Sequence, residues 1–286
     1  RKGLTTTRQV IKIEGNEIEV CGEALSPRER RKKIMATIRA ILFDLDGTIC
    51  NTLQDLGECT NQALADYGLP PHAIDEYRMI VGNGVDTQMR RAIGEEKYTK
   101  ELADKVKAAF KAYYDQNYLK NTKPYEGMAQ ALDELRGMGL LLGVFSNKPD
   151  EFAGKVCTHL FGDRFDLIAG NRPGVPVKPD PTGLFLALER LGLKPEECLY
   201  CGDSWVDIDT GKNAGIVTIG AEWGFRGRKE LEEHGADYIA SQPKELPSIV
   251  KAIIASLKTL GIRQGFLRFC LVSVCCLRKI RQLLLF

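Results

Sequence analysis

Ile38-Arg39-Ala40-Ile41-Leu42-Phe43-Asp44-Leu45-Asp46-Gly47-Thr48 is a short apolar run that ends at two carboxylates and a glycine. A run of this length bounded by a turn signal reads as a buried strand. In open α/β sheets, ligands bind at the carboxyl ends of the strands. Asp44 and Asp46 leave the strand at that end. Two carboxylates so placed can ligate a hard cation and can divide nucleophilic and acid/base work between them. The bland alternative is a solvated turn in which Asp caps a helix. It suits a generic Asp-x-Asp better than one that follows an apolar strand.

Working outward, LLLGVF (140–145), FDLIAG (165–170), CLYCG (198–202) and IVTIG (216–220) are further buried-strand candidates. Helical stretches separate them, among them AQALDELRGMG (129–139) and TGLFLALERLG (182–192), each closed by glycine. Strands alternating with helices imply a parallel sheet covered on both faces. The alternation stops between about Asn51 and Lys123. That region reads as helices: TLQDLGECTNQALADYG, a short one near 72–80, VDTQMRRAIG, and TKELADKVKAAFKAYYDQNYL. In the last, Leu102, Val106, Phe110 and Tyr113 are spaced to share one face. An all-helical insert after the first strand of an α/β domain is a candidate lid.

The chain has 286 residues, 44% hydrophobic and 27% charged, with a net charge of +2. That composition excludes collagen-like, mucin-like and fully disordered classes, and the near-neutral balance argues against a nucleic-acid binder. Charge is unevenly spread: 1–33 carries +4 and 262–286 carries +5, which leaves −7 for the middle. Two basic ends on an acidic body read as separate material. RQVIKIEGNEIEV could form a hairpin around Glu14-Gly15-Asn16, followed by a charge run at 28–33. Met35 looks like a natural start, which makes 1–34 an expected extension. In the tail, Phe269–Leu277 is nine apolar-type residues, too short to span a bilayer. The tail could lie on a membrane surface as a basic hydrophobic helix, but loose packing is the expected reading. The nine cysteines are irregularly spaced, and no signal peptide is evident. Free thiols in a reducing compartment, the cytoplasm, are expected. Cys198-x-x-Cys201 lacks a second pair and reads as part of a strand. His72, His159 and His234 share no metal-ligand spacing, and Trp205 and Trp223 read as packing.

FDLDGT resembles the first motif of the haloacid dehalogenase superfamily of phosphatases. Ser146-Asn147-Lys148-Pro149 resembles the second, Lys178-Pro179-Asp180-Pro181 the third, and Gly202-Asp203-Ser204-x-x-Asp207 the fourth. The order is right, and the resemblance covers about 35–258. VGNGVDTQMRRAIG (81–94), PYEGM, SNKP, PVKPDPTGL and GDSWVDIDTGKNAG are more closely similar to the phosphoglycolate phosphatases.

The resemblance implies a Rossmann-like parallel sheet core, 35–50 and 124–260, with a helical cap domain, 51–123, inserted after the first strand. The extension 1–34 and the tail 261–286 lie outside it. It implies a phosphatase for a small phosphorylated metabolite, 2-phosphoglycolate first, with a pyrophosphatase or a sugar-phosphate phosphatase as rivals. A non-catalytic binding or membrane-surface protein is the rival from another class. In the implied mechanism Asp44 attacks phosphorus and Asp46 acts as acid and base, while Lys178 neutralises charge. Mg²⁺ is held by the Asp44 and Asp203 carboxylates and the Asp46 carbonyl, with Asp207 in support. Ser146, Asn147 and Thr48 are expected at the phosphate. Lys148 reads equally as a solvated lysine. In the cap, Gly82-Asn83-Gly84 opens a helix whose N–H groups can receive an anion, and Arg91 could pair with a substrate carboxylate.

Overall fold

The computed structural model describes residues 8–13, 16–21 and 38–256. The chain divides into two units, Ile38–Ile254 and a second made of Arg1–Thr37 with Ala255–Phe286. In the second unit, β1 (Arg8–Ile13) and β2 (Asn16–Cys21) pair antiparallel, with Ile13 opposite Asn16, where the sequence places a hairpin. The charge run at 28–33 and the tail 261–286 lie outside the described residues.

In the larger unit, β3 (Ala40–Phe43) is buried at every residue. This is expected of a strand covered on both faces. It pairs in parallel with β6 (Leu141–Pro149) on one side and β8 (Cys198–Gly202) on the other. With β7 (Leu167–Asn171), β9 (Val217–Ala221) and β10 (Tyr238–Ala240) the sheet order is β10-β9-β8-β3-β6-β7, all parallel. From β3 the chain moves outward through β6 and β7, then returns to β8 and moves the other way. The direction reverses between β3 and β8, so the crevice for a ligand opens beyond their carboxyl ends. Side chains alternate across a strand. Ala40 and Leu42, with Cys198 and Tyr200, therefore pack on one face against Leu184, Ala187 and Leu188 of the helix Thr182–Leu191. Gly192 closes that helix in a left-handed conformation, as its sequence position predicts.

One expected strand is longer than its sequence pattern, and one strand of the sheet is not expected. β6 runs to Pro149 rather than stopping at 145, with a register shift against β7 between Phe145 and Pro149. This extension carries Ser146, Asn147 and Lys148 past the body of the sheet. β10 has three residues and no alternation to betray it.

The region after β3 is helical: α1 (Leu53–Ala65), a 3-10 turn Ile74–Glu76 running into α2 (Tyr77–Ile80), α3 (Val85–Ile93) and α4 (Lys100–Asn117). Thr99 starts α4 by accepting the Leu102 N–H at 3.1 Å. The buried face of α4 is Ala103, Val106, Phe110 and Tyr114. The expected face is thus corrected at its ends: Leu102 and Tyr113 are only partly buried, and the Tyr113 hydroxyl reaches Asp66. Phe152 and Phe225 from outside the insert complete its apolar cluster.

A two-residue ladder, β4 (Cys50–Asn51) with β5 (Lys123–Pro124), joins the chain entering the insert to the chain leaving it. Beside it Asp55, fully buried, accepts from four donors, the backbone and side chains of Asn121 and Thr122, at 2.7–3.0 Å. The architecture is a Rossmann-like parallel sheet with a helical cap inserted after its first strand. Among the described residues, no helix is long and apolar enough to cross a membrane.

Candidate active site

Asp44 is the first residue past β3. Its N–H continues the ladder to the Cys201 carbonyl at 2.9 Å. The chain then folds tightly, with the N–H groups of Thr48, Ile49 and Cys50 all directed at the Leu45 carbonyl. Gly47 has φ +88°, and a Cβ there would stand 2.3 Å from Asp203 Oδ2. Only glycine allows both the turn and the approach of Asp203.

Asp203 follows β8, on the other side of the switch point. One of its oxygens accepts from Thr48 Oγ1 at 3.2 Å and the other from the Phe225 N–H at 2.7 Å. Asp207, in the first turn of the helix Trp205–Ala214, accepts from the Ser204 N–H and hydroxyl at 3.2 and 2.7 Å. Asp44, Asp203 and Asp207 each offer an oxygen within 4.8 Å of the others, and all three are buried.

Lys178, 2% exposed, is the ammonium among them. Its Nζ donates to Asp44 at 2.8 Å, Asp207 at 2.7 Å and the Tyr200 hydroxyl at 3.0 Å. Burial favours the neutral amine, but Asp207 and Asp44 outweigh it and hold the lysine above its ordinary pKa. Burial pushes the Asp44 carboxyl up to about 6; Lys178 pulls against that rise, and Asp207 and Asp46 add to it. Burial, with Asp207 and Asp44 nearby, also raises Asp203 well above the carboxylate range. Three buried carboxylates share one ammonium, and every donor is an oxygen. That set fits a hard divalent cation.

The Asp46 carboxylate turns away from this cluster. Both its oxygens accept from Lys148 Nζ, at 2.9 and 3.2 Å. The same Nζ donates to the Tyr114 hydroxyl, on α4, at 2.7 Å. Asn147 spans core and cap: its amide donates to the Gly82 carbonyl at 3.0 Å, and its Oδ1 accepts the Lys178 N–H at 2.8 Å. Ser146 Oγ accepts the Lys148 N–H at 3.3 Å. A cavity of about 700 Å³ opens over the site. Asp44, Asp46, Ser146, Asn147 and Lys148 line it from the core, and Gly84, Gln88, Lys107, Lys111 and Tyr114 from the cap.

The structure therefore brings Asp44, Asp46, Ser146, Asn147 and Gly84 to one cavity, with Lys178, Asp203 and Asp207 packed directly behind Asp44. Two expectations are corrected. Thr48 is not at the phosphate seat; it is fully buried and its hydroxyl holds Asp203. Arg91 does not line the cavity. Its guanidinium donates to the carbonyls of Met79 and Ile80, at the end of α2. Residues facing the cavity from α3 are Val85, Asp86 and Gln88, and Arg91 falls on another side of the helix. Sequence reading undervalued Lys148 and missed Tyr200 and Tyr114. A buried Tyr in a strand needs a partner for its hydroxyl, which was the available signal for Tyr200.

Residues 41–221 match the haloacid dehalogenase-like hydrolases. A phosphoglycolate phosphatase of Aquifex aeolicus (strain VF5) is 33% identical over 214 residues, 74% of this chain and 97% of that protein. An N-acetylmuramic acid 6-phosphate phosphatase of Pseudomonas aeruginosa is 31% identical over 217 residues, 74% of this chain and 95% of that one. Among crystal structures, a predicted phosphoglycolate phosphatase from Haemophilus somnus 129pt has a TM-score of 0.70 at 28% identity, covering 76% of this chain and 99% of that one. With the carboxylates and lysines of the four motifs gathered at the switch point of the sheet, the chain belongs to the haloacid dehalogenase-like hydrolase family, as a phosphatase.

Proposed function

We propose that the chain hydrolyses a small phosphomonoester, 2-phosphoglycolate, through an aspartyl-phosphate. The observation that carries this is Asp44, buried at the floor of the cavity with Lys178 at 2.8 Å and Asp203 and Asp207 beside it. Phosphoryl transfer is catalysed mostly by positioning and by neutralising oxygen charge. The Ser146 hydroxyl and the Asn147 backbone N–H hold the phosphate oxygens. The Asp44 carboxylate attacks phosphorus and the ester P–O bond breaks. Asp46 gives its proton to the leaving alkoxide, then removes one from the water that attacks the acyl phosphate. Lys178 offsets negative charge on Asp44 throughout. Asp44, Asp203 and the Asp46 carbonyl, with Asp207 close by, would hold Mg²⁺, which when bound would supply Lewis-acid neutralisation of the phosphoryl oxygens.

The names of the relatives support the choice of substrate, and so does Lys111. It lines the cavity from α4, and its ammonium makes no hydrogen bond or ion pair among the described residues, whereas Lys107 beside it is tied to Asp86 at 2.7 Å. Lys111 in place of Arg91 takes the substrate carboxylate. A second reading is a larger sugar phosphate, favoured by the cavity volume of about 700 Å³, which suits ligands well above phosphoglycolate in size. Free buried cysteines, Cys50, Cys59, Cys157, Cys198 and Cys201, fit work in the reducing cytoplasm.

Phosphate release over a panel of phosphorylated metabolites tests the reading. The expected result is the highest kcat/KM on 2-phosphoglycolate with Mg²⁺, none in excess EDTA, and none for a folded Asp44→Ala protein. A preference for a hexose phosphate selects the second reading. Activity in Asp44→Ala overturns both.

A further inference from the structure

The two carboxylates of the first motif are each held by a different lysine. Lys178 holds Asp44 and is tied only to core groups. Lys148 holds Asp46 and is tied to the cap, through the Tyr114 hydroxyl at 2.7 Å. The Lys148 side chain is 2% exposed, and its ammonium is spent on Asp46 and Tyr114. Tyr114 is fixed by packing from both parts of the molecule. Its ring stacks on Phe110 of α4 at 5.3 Å and meets Phe152 of the core helix Asp150–Phe161 edge-on at 5.1 Å. The ammonium also lies 4.8 Å from the Tyr114 ring centroid. The place of α4 thus fixes the Tyr114 hydroxyl, the hydroxyl fixes Lys148, and Lys148 fixes the Asp46 carboxylate.

We propose that Tyr114 and Lys148 are positioning residues that couple the seating of the cap to proton transfer by Asp46. The inference rests on the reading of Asp46 as general acid. A general acid must stand within about 2.6–3.2 Å of the atom it protonates. The Lys148–Tyr114 tie sets that reach, and it leaves the nucleophile, held by Lys178, untouched. The two halves of the reaction are therefore unequally dependent on the cap. The Asp44 carboxylate is held by core groups, whereas the acid that protonates the leaving oxygen is placed only with α4 in position.

Leaving-group dependence separates these roles. An alkyl phosphate expels an alkoxide that needs the proton, whereas p-nitrophenyl phosphate expels a stable phenolate that hardly needs it. The readout is kcat/KM, which reports the steps up to departure of the leaving group. The alkyl substrate is 2-phosphoglycolate, or whichever alkyl phosphate the wild type turns over fastest. Asp46→Asn is measured first and should lose far more on the alkyl than on the aryl substrate. Tyr114→Phe keeps the ring and its packing, and should show the same selectivity at smaller size, about tenfold on the alkyl phosphate and under about twofold on the aryl one. Lys148→Met should be selective in the same sense and larger. Phe110→Leu loosens the packing that seats Tyr114, and should be selective in the same sense as Tyr114→Phe; an equal loss on both substrates there would count against the coupling of cap seating to Asp46. If Asp46→Asn is selective but Tyr114→Phe lowers both substrates equally, or neither, the coupling is wrong and the reading of Asp46 stands. If Asp46→Asn is itself unselective, the reading of Asp46 fails and the coupling falls with it. Should Lys148→Met not fold, Tyr114→Phe decides alone.

Discussion

Asp44 combines two opposed demands. It must be ionised to attack phosphorus, yet burial pushes it up to about 6 against the pull of Lys178. An acid whose pKa is raised on folding penalises the folded state above that pKa. The penalty disappears as pH falls through it. A bound cation neutralises the ionised site and removes the same penalty at high pH, where protons cannot. Mg²⁺ should therefore raise the melting temperature more at pH 8 than at pH 5. Thermal melts in EDTA and in Mg²⁺ at the two pH values check this. An equal increment at both would mean that the cation binds away from Asp44. Lys178 cannot replace the cation, because its three hydrogens are already committed to Asp44, Asp207 and Tyr200.

The cap helices depend on two local devices. Where the insert joins the sheet, Asp55 at the start of α1 gathers four donors from Asn121 and Thr122. Asp55→Ala leaves the backbone and hydroxyl donors of Thr122 buried without their acceptor. It should cost about 2–4 kcal/mol, read by urea denaturation. Over the cavity, helix phase decides which cation meets the substrate. Arg91 faces the Met79 and Ile80 carbonyls, and Lys111 faces the cavity. Lys111→Ala should lower kcat/KM on phosphoglycolate roughly 10- to 100-fold, the loss of one charge-assisted bond, and spare p-nitrophenyl phosphate. Arg91→Ala should show no such selectivity. A selective loss in Arg91→Ala alone would return the role to α3.

At the scale of the whole chain, every residue placed at the site lies between Asp44 and Phe225. The unit that holds them is Ile38–Ile254. The basic ends, 1–34 and 262–286, contribute no residue to the site as described. A chain trimmed to 35–261 should keep the kcat/KM of the full chain on its best substrate. A large loss would mean that the ends complete the site or brace the cap. The helical cap is an insertion in sequence but not in packing: Phe152 and Phe225 fill its apolar cluster. The Phe225 N–H also binds Asp203. Cap packing and the carboxylate cluster thus meet in one residue of the loop after β9.

The sequence by itself determined the parallel sheet and the helical insert, and its resemblance to the haloacid dehalogenase phosphatases pointed to the carboxylates and lysine of the site. The sheet and the insert are local or nearly local facts: an apolar run has one buried reading, and the carboxyl end of such a strand is where the chain turns at Asp44, Asp46 and Asp203. Helix closure at Gly192 is local in the same way. Only the tertiary structure decided that Lys148 is a buried partner of Asp46, because its acceptors lie 102 residues away in the first turn and 34 residues away on α4. It alone moved Thr48 from phosphate to Asp203, and Arg91 from substrate to backbone. Each of those assignments depends on which face of an element meets which neighbour. Spacing along one helix or turn gives a periodicity, but its absolute phase is set by the packing of the other elements.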